Sequence, residues 1–310
     1  MNTLREAVQQ YLSLRRSLGF KLREDGARLL DFVMFMEQHN APYITTELAL
    51  SWAQAPTARP TEWARRLGFV RVFARHRSAT DPRTQIPPDG LLPYPSTRIR
   101  PYLYSDDEVR TLLNTALKMR PLTALQPWTY YCLIGLLSVS GMRLGEALNL
   151  ELQDVDLDAA VLKIRSSKFG KSRLVPLHGS TCQVLADYIA RRNLFAEGKS
   201  TSSHLFLSRR GTRLHDRTVH VTFLALYREI GLRAPSGSRG PRLHDFRHRF
   251  ALLTLLNWYR SGKDAERLLP VLSTYLGHVH VRDTYWYLQS WPELMHEAMA
   301  RLERRWEDKP

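Results

Sequence analysis

A set of cationic and titratable side chains, followed by a late tyrosine, is suited to chemistry at a phosphodiester. Its members are Arg143, Lys168, His244, Arg247, His278 and Tyr287. An arginine guanidinium offers a planar fork of N–H donors that matches phosphate oxygens. Histidine and lysine can move protons, and a tyrosine hydroxyl can attack phosphorus. The set therefore predicts a site that holds a phosphodiester while Tyr287 attacks it.

The arginines and the first histidine each have a plainer structural interpretation. Arg143 could simply pair with Glu146, three residues later. Both interpretations are compatible, because such a carboxylate would also fix the direction of the guanidinium. His244 and Arg247 are three residues apart and share a face of a helix. That helix follows a basic loop, so its N-terminal end should attract a phosphate.

The later candidates are also ambiguous when each is taken singly. Lys168 could be a solvated lysine in a hairpin. Gly277 is expected to end the preceding helix, which leaves His278 beside a helix C-terminus. Tyr285 and Tyr287 are expected on the next short helix, where a spacing of two makes them face different directions. At most one of these tyrosines can therefore aim at the site.

Length and charge limit the class of protein. The chain has 310 residues, a formal net charge of +15 and an apolar content of 44%. This length suits two domains, and this composition favours a folded chain. The basic residues are interleaved with apolar ones, which favours a folded, charged groove for a polyanion. An ordinary basic globular protein is the alternative that charge alone leaves open.

The cysteines and the apolar runs indicate a cellular setting. Cys132 and Cys182 are the two cysteines, and they show no metal-ligand spacing. Cys132 lies in an apolar run and is expected to be buried. That run, residues 128–139, is too short to span a bilayer, and the charged N-terminus lacks a signal core. We expect a reducing, cytoplasmic setting.

The chain is predicted to form two domains. Residues 1–80 read as a helical N-terminal domain, residues 81–101 as a proline-rich, semi-stiff linker, and residues 102–310 as a second domain. Two domains joined in this way could clamp a duplex. One N-terminal helix carries arginines that would face either solvent or phosphates: Arg65, Arg66, Arg71, Arg75 and Arg77.

The second domain is predicted to be helical around one small sheet. Ser105 should cap a helix, and an apolar helix should end at Gly141. Lys168 should lie near the second turn of a three-stranded antiparallel sheet. The predicted strands are Val155–Leu157, Val161–Ile164 and Arg173–Pro176. A terminal helix is expected over Glu293–Trp306.

The order of these motifs resembles the tyrosine recombinase (phage integrase) family from about Tyr102 to the end of the chain. Three segments are close matches to the family's motifs: Gly141–Leu148, Leu243–His248 and Leu276–His278. Lys168 matches the family's hairpin lysine, and Tyr287 matches the nucleophile by its position nine residues after His278. The residues around Tyr287 are similar to those of integrases carried by transposons and integrative elements.

The resemblance implies a fold, an activity and partners. The fold would be mainly α with a small antiparallel β-sheet, in a helical core-binding domain and an α+β catalytic domain. The activity would be site-specific recombination of double-stranded DNA through a 3′-phosphotyrosine, with no metal or other cofactor. A homo-tetramer on two DNA sites is expected, with other recombinases or accessory proteins as further partners. The setting would be the nucleoid of a prokaryote.

The resemblance also assigns roles to the residues that face the phosphate. Tyr287 would attack phosphorus. Arg143 and Arg247 would stabilise charge on the non-bridging oxygens, as fixed donors do in a dry site. Glu146 and Asp245 would orient the groups around them. The cationic cluster should also favour the phenolate of Tyr287, whose pKa is ordinarily about 10.

The remaining roles concern protons. His244 would accept or relay the tyrosine proton, His278 would donate a hydrogen bond to the phosphate, and Lys168 would protonate the leaving 5′-oxygen. The terminal helix could join protomers or pack on its own domain. Its apolar stripe comprises Leu294, Met295, Ala298 and Leu302.

Three other functions are less well supported. A type IB topoisomerase shares the tyrosine chemistry but relaxes DNA without site preference or a partner protomer. A DNA-binding accessory protein, or a decayed integrase, would bind DNA without catalysis, but all six candidate residues are present. A metal-dependent nuclease is disfavoured because no cluster of carboxylates accompanies the histidines.

Overall fold

The chain folds into two compact units, Met1–Ile99 and Arg100–Pro310. The computed structural model describes residues 3–55, 58–93, 101–121, 124–165, 172–234, 240–289 and 291–307. As predicted, the fold is mainly α-helical with one small antiparallel sheet. Within these described ranges, no helix is both long and apolar enough to cross a membrane.

In its described residues, the first unit contains a short 3-10 helix at Pro60–Glu62 and four α-helices that enclose one apolar core. They are α1 (Leu4–Ser17), α2 (Arg23–Gln38), α3 (Thr46–Ala53) and α4 (Trp63–Arg77). Phe32, Phe73 and Trp52 are buried in this core. The sequence did not predict α3, because eight residues give little more than two turns of periodicity. Its start is nevertheless well defined, since the Thr45 hydroxyl accepts a hydrogen bond from the backbone N–H of Leu48 at 3.2 Å.

Arg65 and Arg75 of α4 are exposed, as the sequence predicted, but the other three arginines of this helix correct the prediction of a solvated or phosphate-contacting face. Arg66 is buried, lies 4.0 Å over the Trp52 ring and donates to the Trp52 carbonyl at 2.9 Å. Arg77 is also buried and pairs with the buried Asp81 at 3.6 Å. Arg71 donates to the carbonyl of Pro87 at 2.7 Å. Arg66 and Arg77 therefore stabilise the first unit from inside, and Arg71 joins α4 to the segment at Pro87.

The first part of the predicted linker lies against the first unit. The backbone N–H of Gln85 donates to the Ile44 carbonyl at 2.8 Å, and the Gln85 side chain accepts from the Thr46 N–H at 2.8 Å. Leu92 packs on the apolar core of the unit. Residues 94–100 lie outside the described ranges, and the predicted domain boundaries stay a prediction.

The second unit places nine described helices around a three-stranded antiparallel sheet of order β1-β2-β3. The helices are α5 (Asp106–Leu117), α6 (Leu125–Ser140), α7 (Leu144–Leu148), α8 (Gly179–Ala196), α9 (Asp216–Glu229), α10 (Asp245–Arg260), α11 (Ala265–Leu276), α12 (Arg282–Gln289) and α13 (Pro292–Glu307). The strands are β1 (Val155–Asp156), β2 (Val161–Ile164) and β3 (Arg173–Pro176).

The structure contains helix caps and a buried cysteine that were predicted from local sequence in the second unit. Ser105 and Glu108 form a reciprocal capping box, in which each side chain accepts from the other residue's backbone N–H. Gly141 ends α6 and Gly277 ends α11, both in the left-handed conformation. Cys132 is buried, as expected.

Two apolar clusters in this unit position the site. One surrounds α6, whose Leu133, Ile134 and Leu137 are buried. The other joins α10 and α11 to Tyr287 and Leu294. Leu294 therefore packs within its own unit, whereas Met295 of the predicted stripe is exposed.

Replacing Gly141 by alanine should destabilise the second unit. The residue has a φ of +58°, and an added Cβ would lie 2.6 Å from the Phe250 ring. Left-handed strain and overpacking each cost about 1–3 kcal/mol. We expect the urea midpoint of unfolding to fall for Gly141→Ala. Gly145→Ala is the matched control, because its Cβ would meet no atom within 4 Å. Equal midpoints for both variants would contradict this account.

Candidate active site

Arg143 lies in the turn between α6 and α7 and is fixed from two sides. Its Nη1 donates to Glu146 Oε1 at 2.8 Å, and its backbone N–H donates to Glu146 Oε2 at 2.9 Å. Its Nη2 donates to the Gly277 carbonyl at 3.0 Å. The pairing with Glu146 was predicted from the sequence. The contact with Gly277 brings Arg143 to the segment that carries His278.

Arg173, at the start of β3, holds the same carboxylate, although the sequence analysis did not single it out. Its Nη1 and Nη2 donate to Glu146 Oε1 and Oε2 at 3.1 and 2.8 Å. Burial alone would raise the pKa of Glu146, but the hydrogen bonds from Arg173 and Arg143 hold that pKa at about 2. From the sequence, Arg173 was recognisable only as the first residue of the third predicted strand, beside the hairpin.

Arg247, on α10, is fully buried and is held by the ends of two helices. Its Nη1 donates to the Gly141 carbonyl at 3.0 Å, and its Nη2 donates to the Leu276 carbonyl. Helix C-termini carry partial negative charge, so these carbonyls compensate a buried cation. Burial and the neighbouring Arg143 lower the pKa of Arg247 to about 10, which leaves it charged at neutral pH.

His244 immediately precedes α10 as its N-cap residue, whereas the sequence analysis placed it within that helix. Although this residue reaches solvent, the surrounding protein and the charge of Arg247 lower the pKa of its imidazole to about 4. The adjacent Asp245 is buried and accepts from Arg242 Nη2 at 3.0 Å and from the Arg242 backbone N–H at 2.8 Å. Asp245 therefore fixes the loop before His244.

Tyr287, on α12, is buried with its hydroxyl oxygen 3.2 Å from His248 Nδ1. Tyr285 is 47% exposed, so the two tyrosines do face different surroundings, as their spacing predicted. His248 was not among the predicted site residues. A signal for it was available, because His244 and His248 are four residues apart and share a helix face.

The pKa of Tyr287 corrects one expectation from the sequence. Arg247 and Arg143 lower this pKa, as the cationic cluster predicted, but burial has the larger effect and the net pKa is raised. The reason is that the hydroxyl lies in an apolar cluster, where ionisation would lose the hydration of the phenolate. Without DNA, the protein therefore keeps Tyr287 protonated.

His278 follows Gly277 and lies beside the same tyrosine. The His278 and Tyr287 rings are stacked with their centroids 6.5 Å apart. His278 Nδ1 is 2.7 Å from the hydroxyl of Thr284, a fully buried residue of α12. Burial and the charges of Arg247 and Arg143 lower the pKa of His278 to about 4.

The site thus joins residues from distant parts of the sequence. Arg143, Arg247, His278 and Tyr287 are connected through Gly277, Leu276 and direct contacts. Lys168 lies outside the described residues, so its predicted place near the second turn of the sheet stays a prediction. The arrangement offers two fixed guanidinium groups and a buried hydroxyl between imidazoles.

Several known proteins resemble this chain in sequence or in fold. Residues 103–293 match the Phage integrase family. The chain is 61% identical over its whole length, and over the whole of the relative, to the predicted integrase/recombinase y4rB of Sinorhizobium fredii (strain NBRC 101917 / NGR234). It is 30% identical to tyrosine recombinase XerD of Caulobacter vibrioides (strain ATCC 19089 / CIP 103742 / CB 15), over 80% of this chain and 77% of the relative.

A solved structure shares the fold. It is the Tn1549 transposon integrase in complex with transposon right end DNA, with a TM-score of 0.69 and 15% sequence identity. The match covers 98% of this chain and 99% of that one. This likeness supports the mainly helical fold with one small sheet.

Glu146→Gln should show how much this carboxylate contributes to the free energy of unfolding. The pKa of Glu146 is about 2 in the folded protein, against an ordinary value of 4.5. A depressed pKa stabilises the fold above pH 4.5, and this contribution is lost as the pH falls towards 2. We expect the substitution to lower the free energy of unfolding at pH 7 by about 3 kcal/mol.

Urea unfolding between pH 7 and pH 3 measures this effect. The difference in free energy of unfolding between wild type and Glu146→Gln should become smaller below pH 4.5. Asp107→Asn is the control, because the Asp107 side chain is 86% exposed in its pair with Arg110. A difference in free energy of unfolding for Glu146→Gln that stays constant over this pH range would contradict the depressed pKa of Glu146.

Proposed function

The chain belongs to the phage integrase family and is a site-specific tyrosine recombinase, and we propose that it cleaves DNA with Tyr287. The observation that supports this assignment is the convergence of Arg143, Arg247 and His278 on the one buried tyrosine of α12. Two fixed guanidinium groups next to a hydroxyl suit in-line attack on a phosphodiester.

The proposed reaction exchanges one phosphodiester for another. Tyr287 Oη forms a bond to phosphorus while the bond to the 5′-oxygen breaks, which gives a 3′-phosphotyrosine and a free 5′-hydroxyl. Arg143 and Arg247 stabilise the charge on the non-bridging oxygens in the transition state. Attack by a 5′-hydroxyl of another strand reverses these steps and rejoins the DNA.

Protons must leave Tyr287 and reach the departing oxygen. Desolvation by the surrounding protein and neighbouring charges lower the pKa values of His244 and His248 to about 4 and about 3, so both imidazoles are neutral and able to accept a proton. A bound phosphate anion would offset the arginine charges and make the imidazoles more basic. Under this proposal His244 and His248 share the tyrosine proton, His278 donates to the phosphate, and Lys168 protonates the 5′-oxygen.

DNA is the partner of this enzyme. The net charge of +15 supports contacts with many phosphates, which position a protein without encoding sequence. We further propose that two DNA sites are paired by a homo-tetramer and that the reaction mobilises or integrates a genetic element. The proposed place of action is the cytoplasm of a prokaryote, at the nucleoid.

The covalent intermediate tests the nucleophile. A nicked duplex, taken from DNA flanking the gene and shown to bind the protein, traps the adduct because the cleaved end diffuses away. Wild type and Tyr285→Phe should form a covalent adduct that peptide mapping assigns to Tyr287. Tyr287→Phe keeps the buried ring but lacks the hydroxyl, so its adduct should fall by at least about 10³-fold.

The controls separate this function from its rivals. Each variant must bind the same duplex with unchanged affinity. Adduct formed by Tyr287→Phe but not by Tyr285→Phe would overturn the assignment of Tyr287. Site-independent relaxation of a supercoiled plasmid would instead indicate a topoisomerase, and binding without any adduct would indicate a non-catalytic protein.

The tetramer is tested by the mass of the assembly on DNA. Tyr287→Phe prevents strand exchange, so sedimentation of this variant on a duplex with two sites should show about four copies of the 35.9 kDa chain. A duplex with one site, kept too dilute to pair, should carry fewer copies. The same stoichiometry on both duplexes would contradict the proposal.

A further inference from the structure

We infer that Arg173 is a positioning residue for cleavage, which acts by clamping Glu146 and thereby fixing Arg143. The inference rests on the proposed cleavage by Tyr287. It assigns to the start of β3 a function in the reaction beyond its place in the sheet.

The first argument is the geometry of the shared carboxylate. Oε1 of Glu146 accepts from Arg143 Nη1 at 2.8 Å and from Arg173 Nη1 at 3.1 Å. Oε2 accepts from the Arg143 backbone N–H at 2.9 Å and from Arg173 Nη2 at 2.8 Å. A bidentate guanidinium prevents the carboxylate from rotating. Arg143 therefore meets a fixed acceptor, whose direction depends on Arg173.

The second argument concerns charge. A carboxylate paired with Arg143 alone would cancel much of the attraction that this guanidinium exerts on a phosphate. Arg173 adds a second positive charge to the same carboxylate, so the three side chains together keep a net charge of +1. The side chains of Arg173 and Glu146 are only 10% and 5% exposed, so water screens these charges little.

The third argument is that Arg173 also holds the segment carrying His278. Its Nε donates to the Tyr275 carbonyl at 2.6 Å, near the end of α11. A Cβ on Gly277 would lie 3.2 Å from Arg173 Nη1 and 3.4 Å from Arg143 Nη1. Both guanidinium groups thus pass close to Gly277, and Arg173 links β3 to the turn before His278.

The experiment compares Arg173→Ala and Arg173→Lys in single-turnover cleavage of the nicked duplex. Loss of the clamp should slow cleavage by about 100-fold in Arg173→Ala, the order expected when a fixed donor is misplaced. DNA affinity should change by less than about 3-fold, because Arg173 is buried. Lysine keeps the charge without the bidentate fork, so Arg173→Lys should recover only part of the rate.

A matched control and a second substrate separate positioning from a loss of structure. Arg165→Ala removes an arginine beside β2 that pairs with the buried Asp154, outside the site, and should cleave normally. A methylphosphonate at the scissile position lacks the negative non-bridging oxygen that Arg143 would neutralise. Arg143→Ala and Arg173→Ala should both be much less impaired on this neutral substrate, whereas a misfolded protein would lose both reactions equally.

A double-mutant cycle shows whether Arg173 acts through Arg143. The double variant should cleave within about 3-fold of Arg143→Ala, because residues that act as a unit have non-additive effects. Should Arg173→Ala unfold, Arg173→Lys with a wild-type unfolding midpoint supplies the same comparison on both substrates.

The possible outcomes are distinct. Absence of the adduct in the wild-type protein would remove the proposed function itself. If the wild-type protein cleaves, three results would overturn only the positioning role of Arg173. They are normal cleavage by Arg173→Ala, equal losses of rate on both substrates, and multiplicative effects in the double variant. A selective loss on the phosphodiester, absent in Arg165→Ala, supports it.

Discussion

The second unit depends on a solution to one physical problem, the placement of concentrated positive charge among buried side chains. Arg247 is fully buried and Arg173 nearly so, and each needs acceptors that do not cancel its charge. The protein supplies carbonyl groups at the ends of α6 and α11, and a single carboxylate, Glu146. Carbonyl groups satisfy guanidinium donors with partial charges only, so the site keeps a net positive charge.

The C-terminal ends of two helices are part of this solution. Gly141 and Gly277 terminate α6 and α11 in the left-handed conformation and turn their last carbonyl groups towards the guanidinium groups. A side chain at Gly141 would strike Phe250, and one at Gly277 would crowd Arg173 and Arg143. The two glycines therefore end their helices and leave room for neighbouring side chains, Phe250 at Gly141 and the two guanidinium groups at Gly277.

The proposed nucleophile, Tyr287, has a different environment from the cations. Tyr287 lies in an apolar cluster with residues of α10 and α11, and burial raises its pKa more than the arginines lower it. A protonated, buried hydroxyl is a poor nucleophile, so under the proposed function the protein without DNA would hold Tyr287 in an unreactive state. In the first unit, net charge does not predict what each arginine contacts. Arg66 and Arg77 are buried and make contacts inside the unit.

The sequence by itself determined the family, the order of the motifs, the helix ends at Gly141 and Gly277 and the strands of the sheet. These features depend on local backbone preferences and short spacings, which a linear sequence displays directly. Only the tertiary structure revealed the clamp of Arg173 on Glu146, the contact of His248 with Tyr287 and the burial that raises the tyrosine pKa. The physical reason is distance along the chain: Arg143 and Gly277, which meet in the site, are 134 residues apart, so packing alone decides what each side chain touches.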